Sequence, residues 1–326
     1  MTTKIFLLAT ITSVSLTVFA QTTEKEKNLR TQSADTTQGW RKGGILAINL
    51  AQTSLTNWAA GGDNSISINS LLSVFANYKK EKSAWDNSLD LGYGLLKQGK
   101  NAKFIKTDDK IDLLSKYGRQ AFSNHWYYAG LLNFKTQMTP GYNYPNDSIK
   151  ISTLFAPAYI IGAIGLDYKP ISYFSLFIAP ITTKITLVND QTLANAGSFG
   201  VEKATYDTLG NVLTKGKKSR IELGGYLRLI FSKNDFKNEF LKNVSFTTKL
   251  DLFSNYLYHP ENIDISWETL IALKVNKYIS VNLTTHLLYD NDINIIIDTN
   301  GDGKPDVLGP RTQFKEILGV GFSYKF

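Results

Sequence analysis

Strict alternation of apolar and polar residues, sustained over ten residues or more, is the feature that most narrows what this chain can fold into. Between positions 279 and 290, Ile279, Val281, Leu283, Thr285, Leu287 and Tyr289 alternate with Ser280, Asn282, Thr284, His286, Leu288 and Asp290. In 244–256, Val244, Phe246, Leu250, Leu252 and Tyr256 face Ser245, Thr247, Lys249, Asp251 and Asn255. In 263–275, Ile263, Ile265, Trp267, Ile271, Leu273 and Val275 oppose Asp264, Ser266, Glu268 and Lys274, and 221–231 behaves likewise. Successive side chains of a strand point to opposite faces, so each segment has one apolar and one polar side. Strands of soluble sandwiches run about five or six residues, whereas a tilted strand needs about nine to eleven to cross a bilayer.

Segments of this kind lie near 43–52, 65–79, 84–97, 108–120, 125–137, 155–169, 171–189, 218–231, 240–256, 263–275, 278–290 and 313–326. The count of twelve is even, as single-chain bacterial barrels require. The connections alternate in length. Longer ones occupy 53–64, 98–107, 138–154, 190–217 and 291–312, and short ones 80–83, 121–124, 170, 232–239 and 276–277; only 257–262 is a short member of the long set. Short periplasmic turns and longer outer loops produce that parity, and a soluble sandwich has no reason for it. The expectation is an all-β fold: a transmembrane, antiparallel, up-and-down β-barrel of about 12 strands, in the outer membrane of a Gram-negative cell. Aromatic residues near strand ends, among them Trp85, Trp126, Tyr127, Tyr128, Tyr168, Tyr256, Tyr258, Trp267, Tyr278, Tyr289 and Tyr324, would form girdles at the headgroup level.

Both ends fit export. Lys4, an apolar run from Ile5 to Phe19 and Ala20 before Gln21 read as a signal peptide over 1–20. No Cys follows, which excludes a lipoprotein. Residues 21–42 read as a flexible periplasmic lead-in and 43–326 as the barrel. The last strand alternates through Phe314, Leu318, Val320, Phe322, Tyr324 and Phe326, and resembles the signal read by the barrel assembly machinery. Expected partners are therefore that machinery during insertion, outer-membrane lipid and envelope proteins. The net charge of +8 is carried by scattered Lys residues, which suits solvated loops and anionic headgroups, with no nucleic acid as partner. The absence of Cys also rules out disulfides, thiolate metal sites and a Cys nucleophile.

Several stretches carry a family likeness: Asn57-Trp58-Ala59-Ala60-Gly61-Gly62, Trp85-Asp86-Asn87-Ser88-Leu89-Asp90-Leu91, Lys106-Thr107-Asp108-Asp109-Lys110, His125-Trp126-Tyr127-Tyr128, Phe134-Lys135-Thr136-Gln137, Pro140-Gly141-Tyr142-Asn143-Tyr144-Pro145, Val188-Asn189-Asp190-Gln191-Thr192-Leu193 and Gln313-Phe314-Lys315-Glu316. With them the chain resembles a Bacteroidetes family of exported proteins known only as a domain of unknown function. The resemblance covers most of the chain beyond the signal and implies an outer-membrane barrel. It implies no activity and no catalytic residues.

Three constellations could carry chemistry. The polar strand faces hold charges of both signs, and Glu222, Arg228, Lys249, Asp251, Glu268, Lys274 and His286 are expected to face the lumen, with Asp86, Asp90, Asp112, Lys116 and Lys135. Such charges either pair and fill the barrel or line a narrow channel for small polar solutes. The Gly-containing 190–217 connection is long enough to fold over or into the mouth. The second constellation, Asp298, Asn300, Asp302 and Asp306 around Gly301 and Gly303, has the spacing of a calcium loop. Gly309 stands where an EF-hand has its bidentate Glu, so the expectation is a structural Ca²⁺ in an outer loop, against an ordinary Asn/Asp/Gly turn. The third is His286, which with a Ser would suggest a lipid-acting hydrolase. It falls on the inward face, and no G-x-S-x-G elbow occurs. The function expected is non-enzymatic: a narrow pore, or a scaffold component of an envelope assembly.

Overall fold

The computed structural model describes residues 38–56, 63–99, 102–144, 147–171, 173–233, 236–276, 279–297 and 307–325. The signal peptide, most of the lead-in, the 298–306 loop and Phe326 lie outside them. Twelve strands form the barrel: β1 Gly39–Thr53, β2 Ser65–Lys80, β3 Ser83–Gln98, β4 Ile105–Gln120, β5 Trp126–Thr136, β6 Ala158–Ile171, β7 Phe174–Leu187, β8 Ser219–Lys233, β9 Val244–Asn255, β10 Ile263–Lys274, β11 Ser280–Tyr289 and β12 Gln313–Lys325. Each pairs antiparallel with the next in sequence, and β12 returns to pair with β1, so the sheet closes. Closure leaves no sheet edge unpaired along the wall, the condition for crossing hydrocarbon with strands. No helix among the described residues is long and apolar enough to cross a membrane.

The expected strands and their parity hold, with boundaries displaced by a few residues. Strand β1 starts at Gly39, ahead of position 43, because Trp40 and Lys42 continue the register against Tyr78 and Ala76. The connections 138–154, 190–217 and 291–312 carry small two-stranded ribbons at Gly141–Tyr142 with Lys150–Ser152, Thr205–Tyr206 with Val212–Thr214, and Asn294–Ile297 with Val307–Pro310.

Apolar side chains cover the outside. Leu46, Ile48, Leu50, Leu113, Leu132, Ile164, Ile178, Ile181, Ile221, Leu223, Phe314, Leu318 and Val320 are all exposed, Ile181 by 69% and Leu318 by 68%. A water-soluble protein would bury such residues; a belt of them is the surface lipid solvates. At the short-connection end the rings form a girdle. Trp40 lies 5.1 Å from Tyr78 and 5.9 Å from Trp85, Trp126 lies 4.7 Å from Tyr168, and Phe231 contacts Tyr173 and Phe246. The long-connection end is more sparsely aromatic, with exposed Tyr256 and Tyr258.

Two β-bulges shape the wall where β6, β7 and β8 meet, at Ile164/Leu166 and Gly224/Tyr226. Gly165 sits in the first. A Cβ there would fall 2.0 Å from the Ile178 carbonyl oxygen and 2.6 Å from the Ala179 Cα, so only glycine permits this approach.

Candidate functional site

The polar faces meet in the lumen, and the lumen is filled. On the β5–β9 side, Ala129, Leu131, Ala163, Phe177, Ala179, Tyr226 and Phe253 form a dry cluster inside the barrel, with Phe177 fully buried. Around it lie three groups of charges, stacked along the axis.

The group nearest the short-connection end joins β3, β4 and β6. Lys116 Nζ donates to Asp167 Oδ2 at 2.7 Å, Ser175 Oγ donates to Asp167 Oδ1 at 2.8 Å, and Lys169 Nζ lies 3.3 Å from Asp167 and 3.6 Å from Asp86. Both partners of the first pair are buried, Lys116 to 3% and Asp167 to 1% exposure.

The middle group spans the barrel. Lys110 on β4 reaches Glu268 on β10 at 3.5 Å, and these strands stand opposite each other in the ring of twelve. Lys249 on β9 lies 3.1 Å from Glu268 and 3.9 Å from Asp112 on β4; Lys135 on β5 lies 3.9 Å from both Asp112 and Asp251. Arg228 Nε lies 3.3 Å from Asp251, which also accepts the Tyr226 hydroxyl at 2.7 Å. Burying one ion costs several kcal/mol, so such groups persist only as mutually compensating sets.

The third group lies in the long-connection half. Lys184 is shared by Asp264 at 2.5 Å, Asp290 at 3.3 Å and Glu222 at 3.7 Å; Arg220 binds Glu222 at 3.0 Å and also Asp292. Between the middle group and this one is a cavity of about 380 Å³, walled by Tyr159, Phe253, Leu288 and Gln313 and floored by Lys135, Asp251 and Glu268.

The long 188–218 connection leans on that rim. Asp190 caps helix α1 (Gln191–Asn195) by accepting from the backbone N–H groups of Thr192 and Leu193, and it pairs with Lys150. The Lys150 ammonium holds the Asp190 carboxyl below the usual carboxylate range, helped by those two amides. Ala156, Val188, Leu193, Ala194 and Val201 pack beneath the connection, and the Gly200 carbonyl accepts from Arg220.

Six of the seven lumen residues read from parity are therefore brought together: Glu222, Arg228, Lys249, Asp251, Glu268 and His286. Lys274 shares their face but ends β10 and is exposed at the short-connection rim, outside the three groups described above. Asp167, Lys169 and Lys184 escaped the sequence reading because bulges shift the alternation of β6 and β7. His286 Nε2 contacts Ser266 Oγ at 3.1 Å and lies 4.0 Å from Glu268. Both approach the same ring nitrogen, so the carboxylate does not hold the opposite nitrogen, as a hydrolytic triad requires. The positions Asp298, Asn300, Asp302 and Asp306 fall outside the described residues, among which no cluster of three or more His, Asp or Glu could hold a metal.

Residues 50–142 match the model of a family described as "Protein of unknown function (DUF3078)". The Trp85–Leu91, Lys106–Lys110 and Phe134–Gln137 stretches lie within the matched span, in line with the resemblance those stretches carry. Among solved structures, the chain is similar to an outer membrane channel from Pseudomonas putida F1, at 8% identity, covering 90% of this chain and 97% of that one, with a TM-score of 0.40. It is also similar to the NanC porin, at 8% identity, 87% and 100% coverage and a TM-score of 0.36. A third is the translocator domain of the autotransporter NalP from Neisseria meningitidis, at 12% identity, 90% and 91% coverage and a TM-score of 0.32. No curated protein matches.

Proposed function

We propose that this chain is a non-enzymatic integral protein of the outer membrane, closed to free diffusion, whose rigid wall holds an outward-facing cup and its loops as a scaffold component of an envelope assembly. One observation carries the reading: the Lys110–Glu268 and Lys249–Asp112 pairs cross the lumen between distant strands. A path for solutes would have to break several of these pairs at once, leaving buried charges uncompensated. The apolar belt and the short-end girdle support the membrane setting, and the length asymmetry of the connections supports long loops facing outward.

Planar-bilayer recording tests this directly. The native barrel is expected to stay silent, and the Lys110→Ala/Glu268→Ala double variant to show discrete current steps. Steady stepwise conductance by the native protein would overturn the closed-lumen reading in favour of a narrow pore for small polar solutes.

A further inference from the structure

Barrel closure is uneven. Ten of the eleven sequential strand pairs are registered over ten or more residues, and β11–β12 over nine. The β1–β12 seam is registered over five, from Ile45↔Lys325 to Asn49↔Gly321. Beyond that point Leu50–Thr53 of β1 pair with β2 alone, and Gln313–Val320 of β12 have register partners on β11. Closing that half would give every further residue a ladder bond, so its absence locates the weakest stretch of the wall.

The inner surface of the seam is consistent with this. Gly319 and Gly321 present no side chain to the lumen, and a Cβ on Gly321 would strike the Asn49 side-chain oxygen. That oxygen is buried and accepts no hydrogen bond among the described residues. The unregistered half is also where β12 lines the cavity, through Gln313 and Lys315. Outside it stand the exposed apolar side chains of Leu50, Leu318 and Val320. The cavity therefore borders the lipid-facing belt on one side as well as the long-connection loops.

The cavity's chemistry narrows what could enter. At its β10–β11 wall, Glu222, Asp264 and Asp290 surround one ammonium, Lys184, so negative charge is in surplus two strands from the seam. Lys184 lies 5.2 Å over the Phe253 ring, and Tyr159 lines the same wall. Carboxylates beside aromatic faces are what an ammonium group selects. A volume of about 380 Å³ is at the small end of ligand sites, enough for a headgroup and not for its acyl chains.

From this juxtaposition we propose that the cavity takes the ammonium-bearing headgroup of a membrane amphiphile, which enters sideways through the unregistered half of the β1–β12 seam while its acyl chains stay in the bilayer. The inference rests on the outward cup described above.

Because the chain has no Cys, paired Cys variants report the seam cleanly. Leu46→Cys/Tyr324→Cys, in the registered half, is expected to oxidise readily. Leu50→Cys/Val320→Cys is expected to oxidise slowly and to be bridged by a longer bismaleimide. Native mass spectrometry of the full chain from maltoside detergent then reads retention of an ethanolamine-headgroup phospholipid against its glycerol-headgroup counterpart with identical chains. The native protein should retain the amine lipid in about tenfold preference. Asp264→Asn/Asp290→Asn should bring the two lipids to parity. The bismaleimide bridge at 50 and 320 should abolish retention, and the disulfide at 46 and 324 should leave it intact, which separates seam closure from misfolding. Equal retention of both lipids, retention that survives the upper bridge, or equal oxidation of the two Cys pairs would overturn the proposal. Failure of the closed-lumen reading is distinguished separately, since native conductance is measured without either lipid in competition.

Discussion

Replacing Asp167 by Asn should cost far more than the loss of one ion pair, because the structure leaves its partner nowhere to turn. Lys116 is 3% exposed, and Asp167 is the carboxylate within 4 Å of its ammonium among the described residues. Lys169, the other cation on Asp167, keeps Asp86 at 3.6 Å. An amide at 167 can still accept from Ser175, so the packing survives and the perturbation is a stranded Lys116 charge. Breaking a buried pair from one side costs about 3–5 kcal/mol. The conserved shape places Asp167→Asn at the lower end, about 3 kcal/mol, or roughly a hundredfold in the folding equilibrium. Replacing both partners by apolar residues, as Lys116→Met/Asp167→Leu, removes the stranded charge and should fall within about 1 kcal/mol of the native protein. Equilibrium urea unfolding in phosphatidylcholine vesicles, followed by Trp fluorescence and gel mobility, measures both. If Asp167→Asn costs under about 1 kcal/mol, or the double variant is no more stable than the single one, the compensated-lattice account of the lumen is wrong.

Gly165→Ala should stop or severely slow barrel assembly, since its Cβ meets the Ile178 carbonyl at 2.0 Å; a gel shift between folded and heat-unfolded forms reads this. Glu316 lies on the outer face of β12 between exposed Phe314 and Leu318, and Glu316→Leu should stabilise the barrel in vesicles by up to about 2 kcal/mol. Asp190 has a depressed folded pKa, so its contribution is fully present above its ordinary value of 3.8 and is lost as pH falls through the lower, folded value. Hydrogen exchange at Thr192 and Leu193 should accordingly rise below about pH 4, and less so in Asp190→Asn, which caps without an ion pair. If the 298–306 loop binds Ca²⁺, added calcium should raise the melting temperature and Asp302→Ala should abolish the rise; no shift in the native protein removes that site.

The strands and the lumen set could be read from residues because a barrel wall imposes a period of two, and lipid on one side keeps that period clean. Thus Val281, Leu283 and Leu287 separate from Ser280, Asn282 and His286 without reference to any partner strand. The reading failed where the backbone departs from that period. The bulges at Ile164/Leu166 and Gly224/Tyr226 move residues between faces, which hid Asp167, Lys169 and Lys184. Lys274 was placed on the right face, but parity carries no depth, and the residue ends at the open rim.

Alternation along the chain thus determined a twelve-strand wall, its two faces and which charges turn inward, because each of these depends on residues adjacent in sequence. Whether the inward charges leave a passage depended on Lys110 meeting Glu268 across the ring, and whether the wall closes evenly depended on how far β12 runs beside β1. Both are distances between strands far apart in the chain, set only when the ring closes, so the tertiary structure alone decided them.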